Sequence, residues 1–136
     1  MREPIVRKLG GEPAWEGWPA AEVASRGLIQ WQTLLGEDPA DQAGLVMGVA
    51  RLHAGEALAP HRHAQAEAYF TLAGRGVLTI EGVPHALEAG TLVWIPANAL
   101  HTVRLADDAA AGEELRFLYT FAADCFDDVI YRFPPA

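Results

Sequence analysis

The chain has 136 residues, 51% of them apolar, enough for one domain around a core and too few for two. Its 10 basic and 18 acidic residues give a net charge of −8, which lacks the basic footprint that nucleic acid or an anionic membrane surface would need in a partner. The lone cysteine, Cys125, excludes an internal disulfide. No signal-like segment or membrane-length apolar run is present, so the expectation is a cytoplasmic protein.

In chain order, residues 1–27 carry Pro4, Pro13 and Pro19 with Trp15 and Trp18 among them, which predicts an N-terminal arm with little regular structure. Ala20–Ser25 are read as one or two helical turns within it. From Leu28 onward short apolar runs alternate with Gly, Pro, Asp and Asn. The pattern predicts strands near Leu28–Leu35, Leu45–Leu52, Glu67–Ala73, Gly76–Glu81, His85–Leu87, Thr91–Ile95, His101–Leu105 and Glu114–Phe121, with a short strand or extended arm over Val129–Phe133. Many short strands separated by turn residues define an all-β barrel or sandwich, expected as one domain over 28–136. The alanine-rich stretch from Asp107 to Gly112 is read as an exposed hairpin loop, and Asp124, Asp127 and Asp128 as a solvated acidic turn.

The chemistry concentrates in Gly55-x5-His61-x-His63-x3-Glu67-x6-Gly74. Side chains alternate faces along a strand, so His61, His63, Glu67, Tyr69 and Thr71 share one parity, subject to a bend at Ala64-Gln65-Ala66. Pro60 suits the beginning of a strand rather than its centre. His101, 34 residues after Glu67, would join them from a neighbouring strand, with the hairpin 76–81/84–87 bringing the chain back. Three imidazoles and a carboxylate suit one divalent transition ion among Fe, Mn, Ni, Co, Cu and Zn, and four protein ligands leave positions open for water or substrate. The plain alternative is that the histidines are unrelated surface or packing residues. Tyr69 has two readings, a barrel-filling aromatic or a group beside the metal. Trp31, Thr71, Trp94, Tyr119 and Phe121 are the further pocket candidates, with core or rim packing as the alternative for the tryptophans. Trp15 and Trp18 are too apolar for open solvent and are expected against the barrel or a second subunit. His53 and His85 are expected at the surface near turns, and Cys125 as a small buried residue.

The stretch from Gly55 through His61, His63 and Glu67 to Gly74 resembles the first motif of the cupins, and Gly90-Thr91-Leu92-Val93-Trp94-Ile95-Pro96-Ala97-Asn98-Ala99-Leu100-His101 resembles the second. Two positions depart from the pattern. Asn98 stands where the family has Gly, and Asn is the next-best tolerated residue at positive φ. Leu105 replaces a common Asn, trading a polar contact for packing. The resemblance implies a double-stranded β-helix, jelly-roll-like barrel holding a metal through His61, His63, Glu67 and His101.

The order H-x-H-x3-E-x-Y and the tail from Leu115 to Tyr131 resemble the small cupins that cleave dimethylsulfoniopropionate. That resemblance implies a metal-assisted β-elimination giving dimethyl sulfide and acrylate. The substrate carboxylate would sit on the metal, Tyr69 would act as base with its pKa lowered by the cation, and aromatic side chains would hold the sulfonium. A barrel does not fix a reaction. A cupin dioxygenase, oxidase or isomerase on another small carboxylate-bearing metabolite, and a non-catalytic metal- or ligand-binding or sensing module, stay open. Under each, a homodimer is expected, with Trp15 and Trp18 of the arm as its local reason.

Overall fold

The computed structural model describes residues 1–134. Residues 135 and 136, the last two of the expected 28–136 barrel, lie outside them. Among the described residues ten strands form two antiparallel sheets that enclose one core. The six-stranded sheet has the order β1 (Glu16–Gly17), β2 (Gln30–Leu35), β3 (Val46–His53), β10 (Glu114–Phe121), β5 (Glu67–Ala73), β8 (Leu92–Ile95). The four-stranded sheet has the order β4 (Ala57–His61), β9 (His101–Leu105), β6 (Arg75–Ile80), β7 (Val83–Glu88). This is the double-stranded β-helix barrel that the motifs imply.

Strict alternation builds the interior. Along β10, Leu115, Phe117, Tyr119 and Phe121 are buried while their neighbours are half-buried. From the opposite sheet Leu58, Leu78, Val103 and Leu105 meet them, each at most 5% exposed. Period-2 burial on both sheets is what closes two antiparallel layers over one core. Leu105 does fill the interior by packing, and Asn98 does hold positive φ, at 63°.

The expected strands recur as β2, β3 and β5–β10 with shifts of one or two residues at their ends. Two strands were not anticipated. β1 pairs with β2 through Glu16 opposite Trp31 and Gly17 opposite Gln30. β4 was hidden because Ala57-Leu58-Ala59-Pro60 carries neither clear alternation nor β-branched residues. Pro60 lies inside β4 rather than before it. The strand is a sheet edge, and its pairing with β9 shifts register between Leu58 and His61, where a missing N–H is tolerated. The expected strand at Val129–Phe133 is reduced to one bridge, Arg132 opposite Arg62. The loop 107–112 is not a hairpin: β9 and β10 belong to different sheets, so it crosses between layers.

The arm lies along the six-stranded sheet. Gly10 and the Gln32 side chain exchange two hydrogen bonds, of 2.9 and 2.6 Å. Arg7 grips the Asp41 carboxylate through both guanidinium ends, at 2.5 and 2.6 Å. Trp15 lies under the guanidinium of Arg51, 4.1 Å from its ring centre. Ala20–Glu22 form a 3-10 turn and Val23–Arg26 one α-helical turn, α1. Gly27 then takes φ 94° against β4, where an added Cβ would lie 2.0 Å from the Ala57 carbonyl oxygen. Only glycine fits that approach. Among the described residues no helix is long and apolar enough to cross a membrane.

Candidate metal centre

One end of the barrel gathers the motif side chains from both sheets. His61 ends β4 and His101 begins β9, and the two stand directly opposite in register. Glu67 begins β5 in the other sheet, opposite Phe121 and Ile95. The chain passes between sheets through Arg62–Ala66, which carries His63. The motif is therefore not one extended strand with a shared parity. It is two strand ends and a crossing that converge. All four side chains are buried, at 0% for His61, 2% for His63, 4% for Glu67 and 1% for His101.

Each imidazole is oriented by a backbone carbonyl two residues away. Nδ1 of His61 lies 2.8 Å from the Ala59 oxygen, that of His63 2.9 Å from Gln65, and that of His101 2.9 Å from Ala99. A carbonyl only accepts, so each Nδ1 carries the proton and each Nε2 presents a lone pair inward. The ligating nitrogens of the three histidines lie within 4.8 Å of one another. Glu67 Oε1 stands 3.2 Å from Nε2 of both His63 and His101. Nε2 of His61 is buried with no hydrogen-bond partner among the described residues. Acceptors facing acceptors in a dry site call for a cation between them. Burial, followed by the neighbouring His101, pushes His61 down to about 3, so a proton is a poor cation for this place. The set therefore fits a divalent first-row ion, with nitrogen and oxygen donors and tautomers already fixed.

Beside the centre lies a cavity of about 30 Å³ walled by Glu67 and Tyr69 on β5, Trp31 on β2, Tyr119 on β10, Trp18 from the arm and Tyr131 from the tail. Tyr69 is 2% exposed and stacks on Phe117 with ring centres 4.1 Å apart. Burial, then the Glu67 charge, pushes its phenol well above the ordinary value. The lowered pKa expected for Tyr69 is not what the protein environment alone produces. The Tyr119 hydroxyl is engaged by Thr33 at 2.7 Å.

Of the pocket candidates, Trp31 and Tyr119 reach this cavity with Tyr69. Phe121 instead packs edge-on against His63 at 5.1 Å and buttresses that imidazole. Thr71 is fully buried with its hydroxyl unpartnered, but it does not line the cavity. Trp94 does not reach this cavity: Ile95 faces the core, so alternation turns Trp94 to the outer face of β8, where it is 64% exposed and lines a separate open groove with Glu67 and Phe121. Sequence reasoning missed Trp18, Phe126 and Tyr131 as cavity walls. Their signal was present in apolar aromatics placed among prolines in the arm and aspartates in the tail. The remaining surface expectations hold: His53 sits between Glu56 and Glu114 at the surface, His85 is exposed, and Cys125 is buried.

Residues 48–115 match the family model of the cupin domain, which takes in His61, His63, Glu67 and His101. The chain belongs to the cupin family. Among curated proteins it is similar to the dimethylsulfoniopropionate lyase DddW of Ruegeria pomeroyi, with 40% identity over 107 residues, 79% of this chain and 67% of that protein. Among solved structures it resembles a cupin-like protein of Thermotoga maritima at TM-score 0.66 and 16% identity, covering 93% of this chain and 84% of the other. It also resembles a chain from the crystal structures of the DMSP lyases RdDddP and RnDddQII, at TM-score 0.68 and 20% identity, covering 89% and 62%.

Proposed function

We propose that this protein is a metal-dependent lyase that converts dimethylsulfoniopropionate to dimethyl sulfide and acrylate. The observation that carries the reading is the buried convergence of three imidazole Nε2 atoms and Glu67 on one point, next to an aromatic cavity that contains Tyr69. The 40% identity to DddW supports the choice of substrate.

His61, His63, Glu67 and His101 would hold the ion. Once bound, it would supply a Lewis acid for the substrate carboxylate and a positive charge that offsets the burial raising Tyr69. Tyr69 Oη, as phenolate, takes the proton from the carbon beside the carboxylate. The electron pair of that C–H bond becomes the carbon–carbon double bond. The C–S bond breaks, and its pair leaves on neutral dimethyl sulfide. Acrylate keeps the single negative charge. The wall of Trp31 and Phe126 offers aromatic surface to the sulfonium and, with Trp18, keeps water from the developing carbanion.

The test is headspace detection of dimethyl sulfide from protein loaded in turn with Fe(II), Mn(II), Ni(II), Co(II), Cu(II) or Zn(II). Tyr69→Phe is expected to stop the release while metal content stays unchanged. Silence from every metallated form would refute the assignment.

Pairing with a second copy belongs to the same proposal, through a different surface from the one the sequence indicated. Trp15 and Trp18 are consumed by their own barrel. The apolar face left open is Phe70 and Leu72 of β5 with Leu92 and Trp94 of β8, 40–65% exposed, beside the unpaired edge of β8. An uncharged face is where two copies of a chain with net charge −8 approach at least electrostatic cost. Sedimentation velocity should show a dimer that Trp94→Glu converts to monomer, and a monomeric parent protein would end this part of the proposal.

A further inference from the structure

The cavity beside the metal centre is walled mainly by carbon, and its polar groups differ in how they are engaged. The Tyr119 hydroxyl is taken by Thr33, and Glu67 Oε1 is turned toward the imidazole nitrogens where the ion would sit. The indole nitrogen of Trp18 is different. It is buried and has no hydrogen-bond partner among the described residues, although its ring forms part of the wall. A buried donor without an acceptor costs about 1–3 kcal/mol, and native structures keep few of them without a reason.

We propose that Trp18, delivered by the N-terminal arm, is a specificity-determining residue whose indole N–H donates to an oxygen of a small carboxylate ligand in this cavity. The assignment rests on the cavity being where the proposed substrate lies. Three observations support it. First, an indole nitrogen can only donate, so its partner must be an acceptor. Second, Arg26 of α1 places its guanidinium 4.8 Å from the centre of the Trp18 ring, and positive charge on that face favours an anionic partner over a neutral one. Third, the ring is fixed from several sides. Trp31 lies 4.8 Å away, and Tyr131 and Phe133 meet it edge-on at 5.5 and 6.1 Å. A ring held this firmly cannot turn its N–H toward another acceptor of the protein. The cavity of about 30 Å³ exceeds the ~10–15 Å³ that one water requires, so an acceptor has room beside the indole. The arm thus completes the wall of the site as well as covering the sheet.

The experiment compares two probes on Zn(II)-loaded protein by calorimetric titration. Propionate carries the carboxylate and cannot undergo elimination; trimethylsulfonium carries the onium group and no oxygen. Trp18→Phe keeps an aromatic wall and removes the donor. Propionate is expected to bind the variant five- to tenfold more weakly, with trimethylsulfonium changed less than twofold. Equal weakening of both probes would make Trp18 a structural wall only and overturn the inference, as would unchanged propionate binding or no propionate binding to the parent protein. In the parent protein the Trp18 indole proton should also shift downfield on adding propionate, which serves if the variant folds poorly; a stationary signal counts against the inference. Neither measurement needs turnover, so absence of dimethyl sulfide release would defeat the lyase reading without touching this one.

Discussion

The Tyr131 ring lies over the His61 imidazole, with centres 5.0 Å apart and planes 25° from parallel. The tail is thereby a roof for the metal centre, secured by the paired backbone bonds between Arg62 and Arg132 of 3.0 and 2.9 Å. Removing the ring opens a path from solvent to the ligands. Tyr131→Ala is expected to speed metal loss to a chelator at least severalfold, followed by absorbance of a zinc indicator. An unchanged rate would mean that another element covers His61.

Among the described residues, Nε2 of His61 is the one inward imidazole nitrogen of the candidate centre with no hydrogen-bond partner. His61→Ala removes a third of the imidazole set and leaves His63, His101 and Glu67 in mutual contact. Metal content by elemental analysis should fall by tenfold or more at micromolar free ion, in keeping with loss of a first-row ligand. The fold should persist, because the apolar core cluster is built without that ring. Full retention of metal would disprove the ligand set.

Asp41 links the arm to the sheet by accepting from both ends of Arg7 and from the Gly36 N–H at 2.9 Å. The Arg7 contact, then the Gly36 bond, lowers its carboxyl to about 2. A depressed acid stabilises the fold above its unfolded pKa of about 4 and ceases to do so as pH falls through 4 toward 2. Asp41→Asn should therefore melt earlier than the parent protein at pH 7, with the two melting temperatures converging between pH 4 and pH 2. A gap that persists at pH 2 would assign the effect to the hydrogen bonds alone.

Gly48 on β3 makes room for Tyr119 across the strand pair. A Cβ there would lie 2.4 Å from the Tyr119 hydroxyl and 2.3 Å from the Gln32 carbonyl oxygen. Gly48→Ala should cost about 1–3 kcal/mol, as overpacking does, read from urea unfolding. Adding Tyr119→Phe should recover only part of the loss, because the Gln32 backbone cannot withdraw. Complete recovery would show that the hydroxyl was the whole obstacle.

Asn98 holds φ 63° while its N–H donates to the His63 carbonyl at 2.8 Å. Asn98→Gly should change stability by less than ~1 kcal/mol, whereas Asn98→Val should cost about 1–2 kcal/mol or more, since β-branched residues resist this region. Comparable melting of both variants would contradict a conformational role.

Much of this architecture is legible in the chain because burial in β5, β9 and β10 alternates with period 2 and turn residues mark their ends. The ligand quartet is legible for a related reason: histidines and an acid among apolar neighbours have few stable uses other than a shared cation. What could not be read is what tertiary packing decides. Pro60 argued against a strand that an edge position permits. Trp94 looked like a pocket residue because its type is right, while its facing depends on the register of β8 with β5. Trp18 and Tyr131 carry no periodic signal, since each reaches the cavity from an irregular segment.

The meeting of Trp18 with Tyr131 closes a chain separation of more than a hundred residues, far wider than any strand pairing to the ligands. Contacts at such separation carry the largest loop-closure cost. The histidine cluster, whose members lie between residues 61 and 101, closes over a much shorter separation. An ion held there would owe its enclosure to the arm and the tail rather than to the strands that carry the imidazoles.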